Sequence, residues 1–218
     1  MALSKADVNN INVTAVASKA IQWNSAADGF EVGTLGGSMV LLTTATASGS
    51  ANLTFDSSID STYDSYLFKY INIHPETDGK HLQVGFRDGS TAYDATKTTT
   101  FFRAGHDEDG SNNESYLAYR TDSDLAQGTG AQRVGIFVGA DNDQCCNGEL
   151  HLFDPSSTTF VKHFMARTSN NYYVDYIQDE YMAGYCNVTA AIDGVQFSMS
   201  SGDIDSGVIK MYGVGDIQ

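Results

Sequence analysis

Proline and cysteine are scarce in this 218-residue chain, which holds two Pro and three Cys. Two Pro against 21 Gly exclude a Pro-rich linker and a collagen repeat. Cys145 and Cys146 are adjacent and Cys186 stands alone, so no disulfide framework can form. No CxxC occurs, which leaves zinc knuckles and thioredoxin-like redox sites without ligands. Reduced, buried or half-buried thiols are expected instead. Basic residues are also few: 12 Lys and Arg face 27 Asp and Glu, for a formal charge of -15. The basic residues stand singly, whereas phosphate contacts need them clustered, so neither nucleic acid nor an anionic membrane surface is an expected partner. No apolar run approaches the roughly 18 residues of a membrane-crossing helix, so no membrane insertion is expected. Residues 1–7 lack the regions of a secretion signal, which predicts a chain made and folded in a cytoplasm.

Amphipathic helices are the next absence. After residue 30, no segment carries apolar residues at i, i+3, i+4 and i+7 over a useful length. Alternation of period two takes their place. His81-Leu82-Gln83-Val84-Gly85-Phe86-Arg87 puts Leu82, Val84 and Phe86 on one face, and 194–200 does the same with Val195, Phe197 and Met199. Further runs rich in aromatic and β-branched residues lie at 66–73, 115–120, 133–138, 149–153, 159–165, 172–177 and 208–212. Turn clusters such as Glu76-Thr77-Asp78-Gly79, Asp154-Pro155-Ser156-Ser157 and Ser201-Gly202-Asp203 separate them. In the last stretch, Asp205-Ser206-Gly207 reads as a second turn before a closing strand. Many short strands without intervening helices predict an all-β fold: an antiparallel two-sheet sandwich, with a jelly roll favoured over an immunoglobulin-like domain.

The composition changes near Gly36-Gly37, which divides the chain into an extended N-terminal arm, 1–37, and a β-sandwich domain, 38–218. The arm holds the sole Trp but too few apolar residues for a core. A weak helix over 6–20 is opposed by Asn9, Asn10 and Asn12. Asp28-Gly29 is a turn signal that would bring Phe30 back toward Trp23. Ile21, Trp23 and Phe30 are therefore the candidate contacts for attachment or oligomerisation.

Chemistry is thin. Five His show no HExxH and no metal-ligand spacing, no G-x-S-x-G elbow occurs, and 27 acids make any carboxylate pair uninformative. The expected chain is not an enzyme and has no organic cofactor. Calcium is the one metal to weigh, with Asp107, Asp109, Asp141 and Asp143 in oxygen-rich loops that do not match the EF-hand spacing. The N-x-[ST] tripeptides at Asn12, Asn52, Asn113 and Asn187 matter only in a glycosylating pathway. Twelve Tyr and eleven Phe are a generous supply, suited to cross-strand packing, subunit interfaces and sugar platforms.

Two stretches carry a resemblance. Residues 18–31, Ser-Lys-Ala-Ile-Gln-Trp-Asn-Ser-Ala-Ala-Asp-Gly-Phe-Glu, resemble an element near the N-terminus or in the stem of tail-fibre proteins of tailed bacteriophages. Residues 193–213, around Phe197-Ser198-Met199-Ser200-Ser201-Gly202-Asp203, are similar to an ending common in phage structural proteins, with Asp203 where Asn is usual. The resemblance implies a virion protein assembled in the host cytoplasm, and a homo-oligomer with a trimer favoured. Its implied role is a tail-fibre or receptor-binding component that contacts other virion proteins and a host surface glycan. The alternative is a capsid decoration protein, and a carbohydrate-active jelly-roll enzyme is more remote.

Overall fold

Strand formation follows the alternation, and β11 (Lys162–Tyr172) displays it most plainly. Lys162, Phe164, Ala166, Thr168 and Asn170 are buried, while His163, Met165, Arg167, Ser169 and Asn171 face solvent. The computed structural model describes residues 20–23, 26, 30–33, 39–110 and 115–215. The chain divides into two compact units, 1–37 and 38–218.

In the first unit, β1 (Ala20–Trp23) and β2 (Phe30–Gly33) form an antiparallel hairpin that sets Trp23 opposite Phe30 and Ile21 opposite Val32. Ile21 and Phe30 are 47% and 44% exposed. The expected weak helix over 6–20, apart from Ala20, the Asp28-Gly29 turn and the Trp23 side chain lie outside the described residues.

The second unit is built from β3 (Met39–Ser50), β4 (Leu53–Phe55), β5 (Ser65–Pro75), β6 (Lys80–Arg87), β7 (Lys97–Asp107) and β8 (Tyr116–Tyr119). It continues with β9 (Gln132–Val138), β10 (Cys146–Phe153), β11, β12 (Tyr176–Cys186), β13 (Gly194–Met199) and β14 (Ile204–Val214). All strand pairings are antiparallel, and no α-helix occurs among the described residues. One path of neighbours runs β3-β14-β5-β10-β11-β12-β7-β8, and a second runs β9-β6-β13-β4. A lone backbone pair, Tyr172 with Val138, joins them, and the sheet curls nearly into a closed barrel.

Side chains finish what that lone pair begins. The β9 edge facing β11 has no ladder along most of its length, so its polar groups need partners from elsewhere. Thr168 Oγ1 donates to the Val134 carbonyl, and Asn170 Nδ2 donates to the Ile136 carbonyl at 2.6 Å. The Ile136 N–H donates to both carboxyl oxygens of Glu180, at 3.2 and 3.1 Å. Three inward side chains of β11 and β12 thus substitute for a missing strand.

The core lies between the two paths. Phe197 packs its ring against Phe55, Phe68 and Tyr70, with centroids 5.8–6.3 Å apart, and Phe86 meets Phe164 at 4.6 Å. Val195, Phe197 and Met199 lie opposite Phe86, Val84 and Leu82 in the β13–β6 ladder, and all six are buried as expected.

Four expectations are corrected. Residues 172–177 are not one strand: β11 ends at Tyr172, Asp175 turns with φ +61°, and β12 begins at Tyr176. The run 159–165 becomes strand only from Lys162. Asp205-Ser206-Gly207 is not a turn but a register shift inside β14, where Gly207 takes φ +122°. A Cβ there would lie 2.6 Å from the Asn72 carbonyl oxygen, so glycine alone fits the bulge. Nor is β14 the closing strand: it is interior, pairing with β3 on one side and β5 on the other, and β3 ends that path.

Candidate functional site

The four calcium candidates come from loops far apart in sequence, and the fold brings them together. Asp107 is the last, buried residue of β7, Asp109 lies just beyond it, and Asp141 and Asp143 lie between β9 and β10. All four line one cavity of about 720 Å³ with Glu108 and Asp175. Gln144 pins this basin by donating to Asp175 Oδ1 at 3.1 Å and accepting from the Asp141 N–H at 3.3 Å. Among the described residues, no three His, Cys, Asp or Glu side chains stand close enough together to hold a metal ion. Juxtaposition is present, and a ligating geometry is not.

The outward face of the long path carries a second candidate. Strand register places Tyr119, Phe102, Tyr181, Arg167, Glu149 and Lys69 in one row across β8, β7, β12, β11, β10 and β5. Phe102 and Tyr181 stack in parallel, 4.9 Å apart with an angle of 3°. The Arg167 guanidinium lies 5.0 Å from the Tyr181 ring centre, in cation–π range. Arg167 also grips Asp179 with two hydrogen bonds of 2.9 and 2.8 Å, and Tyr181 donates its hydroxyl to the same carboxylate. Those contacts hold the Asp179 carboxyl below the usual carboxylate range, the Arg167 hydrogen bond contributing most. Ion pair and stack together fix the row as a standing rail.

Two residues along each strand lies the next row, with Met165 51% exposed at its centre. Thr100, Ala183, Met165 and His151 make its floor, again in direct register. Beyond the floor stand Thr98, Tyr185 and His163, with the Tyr185 and His163 rings 5.8 Å apart. A groove therefore crosses β10, β11, β12 and β7 at right angles to the strands. It comprises two adjoining hollows of about 360 and 370 Å³ that share Thr100, Met165 and Ala183. His151 Nε2 lies 3.3 Å from Ser65 Oγ at its end, and burial lowers the His151 pKa, which favours the neutral ring.

Inside the sheet, the polar residues form a third cluster. Arg103 donates to Gln178 Oε1 at 2.8 Å, and Gln178 donates to the Tyr116 hydroxyl at 2.8 Å. The Arg103 guanidinium also lies between the Tyr116 and Tyr172 rings, 5.1 and 5.5 Å from their centres. Burial pushes the Glu180 pKa up to about 8, despite opposing contributions from Asn170, Ile136 and Arg103. His81 accepts the Phe137 N–H at Nδ1, and desolvation depresses its pKa to about 4. These groups tie β7, β8, β9 and β12 together through hydrogen bonds and ring contacts.

Sequence reasoning singled out Asp107, Asp109, Asp141 and Asp143, which converge, and Ile21, Trp23 and Phe30, which share the hairpin. It missed Phe102 and Arg167, and it reached Tyr181 only as one member of the general tyrosine supply. The available signal was β7, whose Thr98, Thr100 and Phe102 alternate outward, but inward Lys97, Thr99 and Arg103 disguise the period. No family model, no curated protein and no solved structure matches this chain.

Proposed function

We propose that the chain is a structural protein of a tailed-phage particle, in the role of a tail-fibre or receptor-binding component. The observation that carries this reading is the outward sheet face, where a fixed rail of Phe102, Tyr181 and Arg167 borders an open groove. A rigid strand face holding aromatic and hydrogen-bonding side chains in fixed positions suits recognition of an external surface. The N-terminal hairpin, with Ile21 and Phe30 half exposed, is the element that anchors the protein to its particle. The resemblances at 18–31 and 193–213 support the same assignment.

This reading extends to architecture and assembly. The two strand paths are taken as the sheets of a jelly-roll sandwich, because their inner faces meet through Phe197, Phe68, Phe86 and Phe164. The protein is taken as a homo-oligomer, with a trimer favoured. In support, β8 has a strand neighbour on one side only among the described residues, and Leu117 on it is 76% exposed. The decisive experiment is competition: free protein should block phage adsorption to host cells in a dose-dependent way. Undiminished adsorption at saturating protein would contradict the receptor-binding role.

A further inference from the structure

We infer that the groove across β10, β11, β12 and β7 binds a linear, uncharged oligosaccharide lying between the Phe102–Tyr181 rail and the Tyr185–His163 wall. The inference rests on the host-facing reading above and names the ligand class for that face.

Size comes first. Four strands at about 4.8 Å spacing give a groove about 14 Å long, the length of roughly three sugar rings. Its walls stand four residues apart along each strand, about 13 Å between backbones, which leaves room for a ring between the side chains.

Chemistry narrows the class. An extended peptide gains most of its affinity from main-chain hydrogen bonds at a sheet edge. Here the floor is the middle of a sheet, where β11–β12 and β12–β7 pair continuously over eleven residues each, so no backbone groups remain to offer. Phosphate, sulfate or uronate ligands need a free cation. Arg167 is already committed to Asp179 through two hydrogen bonds, Glu149 faces the same hollow, and the chain carries a formal charge of -15. Thr98 Oγ1 already accepts from Gln127, Thr100 reaches the Tyr119 hydroxyl and His151 meets Ser65, but each keeps a further hydrogen-bonding capacity, which together with His163 a wholly apolar ligand would leave unused. A neutral sugar chain satisfies both demands, since its C–H faces lie against aromatic and methyl groups while its hydroxyls reach these side chains.

Titration of the full chain with chitotetraose, cellotetraose, maltotetraose and tetragalacturonate, followed by amide NMR, tests the proposal. At least one neutral tetrasaccharide should shift resonances of 98–102, 163–167 and 181–185 at millimolar concentration. Tyr185→Ala and Phe102→Ala, both at the outward surface, should each weaken that binding by about tenfold or more while the circular dichroism spectrum stays unchanged. Failure of all three neutral probes to shift these residues overturns the proposal, as does preferential binding of tetragalacturonate. Concentration-dependent shifts without sugar would place a second copy in the groove and equally overturn it. The wider reading fails separately: a protein that binds a neutral tetrasaccharide but does not compete for adsorption keeps this groove and loses the receptor-binding role.

Discussion

Glu180 sits wholly inside the sheet, with the Ile136 N–H and the Asn170 amide as hydrogen-bond donors and the Arg103 charge nearby. Desolvation raises its pKa to about 8 in the folded chain, against about 4.5 when unfolded. Between those values the native state holds a proton that the unfolded state has released, so this group makes stability fall as pH rises. His81 acts in the opposite sense: its depressed pKa of about 4 costs stability as pH drops below 6.5. The two trends oppose each other between about pH 4.5 and 6.5, and Glu180 acts unopposed by His81 from about 6.5 to 8. Glu180→Gln should therefore gain stability relative to the parent across that upper window, by up to about 2 kcal/mol at about 1.4 kcal/mol per pKa unit. Denaturant melts at pH 6.5 and 8 check this, and parallel curves for the two proteins would refute it. The acidic basin gives a second prediction at this scale. Asp141 and Asp143 are exposed among four other carboxylates, so Asp141→Asn should raise Tm by about 1 °C at low salt and less at high salt. Calcium tests the basin directly: if the six carboxylates only repel one another, calcium should raise Tm no more than magnesium at equal concentration. A saturable calcium-dependent rise beyond that would mean that the loops close around the ion.

At the scale of elements, the β13–β6 ladder and the β9 seam make contrasting demands. Phe197 touches three aromatic rings in the sealed core, so Phe197→Ala should cost about 3–5 kcal/mol in urea unfolding. A cost near zero would mean that the Phe197 ring does not occupy the core face in which the β13–β6 register places it. The seam depends on hydrogen bonds instead: Asn170→Leu would strand the Ile136 carbonyl and should cost about 1–3 kcal/mol. These two regions also show what the sequence could and could not reveal. β6 and β13 were legible because Leu82, Val84, Phe86, Val195, Phe197 and Met199 alternate cleanly. β7 and β12 were not, because their inward positions hold Lys97, Thr99, Arg103, Asp107, Gln178 and Glu180. Pattern reading assigns polar residues to the outside, whereas here they serve a backbone edge that only the folded sheet creates. The bulge at Gly207 looked like a turn for a related reason, since Asp-Ser-Gly is turn chemistry that tertiary pairing overrode. The groove was hidden because its lining comes from four strands whose register sequence alone does not specify.

On the proposed function, anchoring and recognition fall to different parts of the molecule. The 1–37 unit is too small to bury Ile21 and Phe30, which the hairpin leaves about half exposed. Deleting residues 1–30 should leave the β-unit folded, with its thermal transition unchanged, while removing the protein from purified particles. Normal occupancy of the truncated chain would assign anchoring to the β-unit instead. The central claim, that this is a host-facing tail component, is tested most directly by locating the protein on intact virions with an antibody against the folded β-unit. The account predicts label at the tail extremity and none over the head. Label distributed across the capsid surface would contradict it and make the chain a decoration protein.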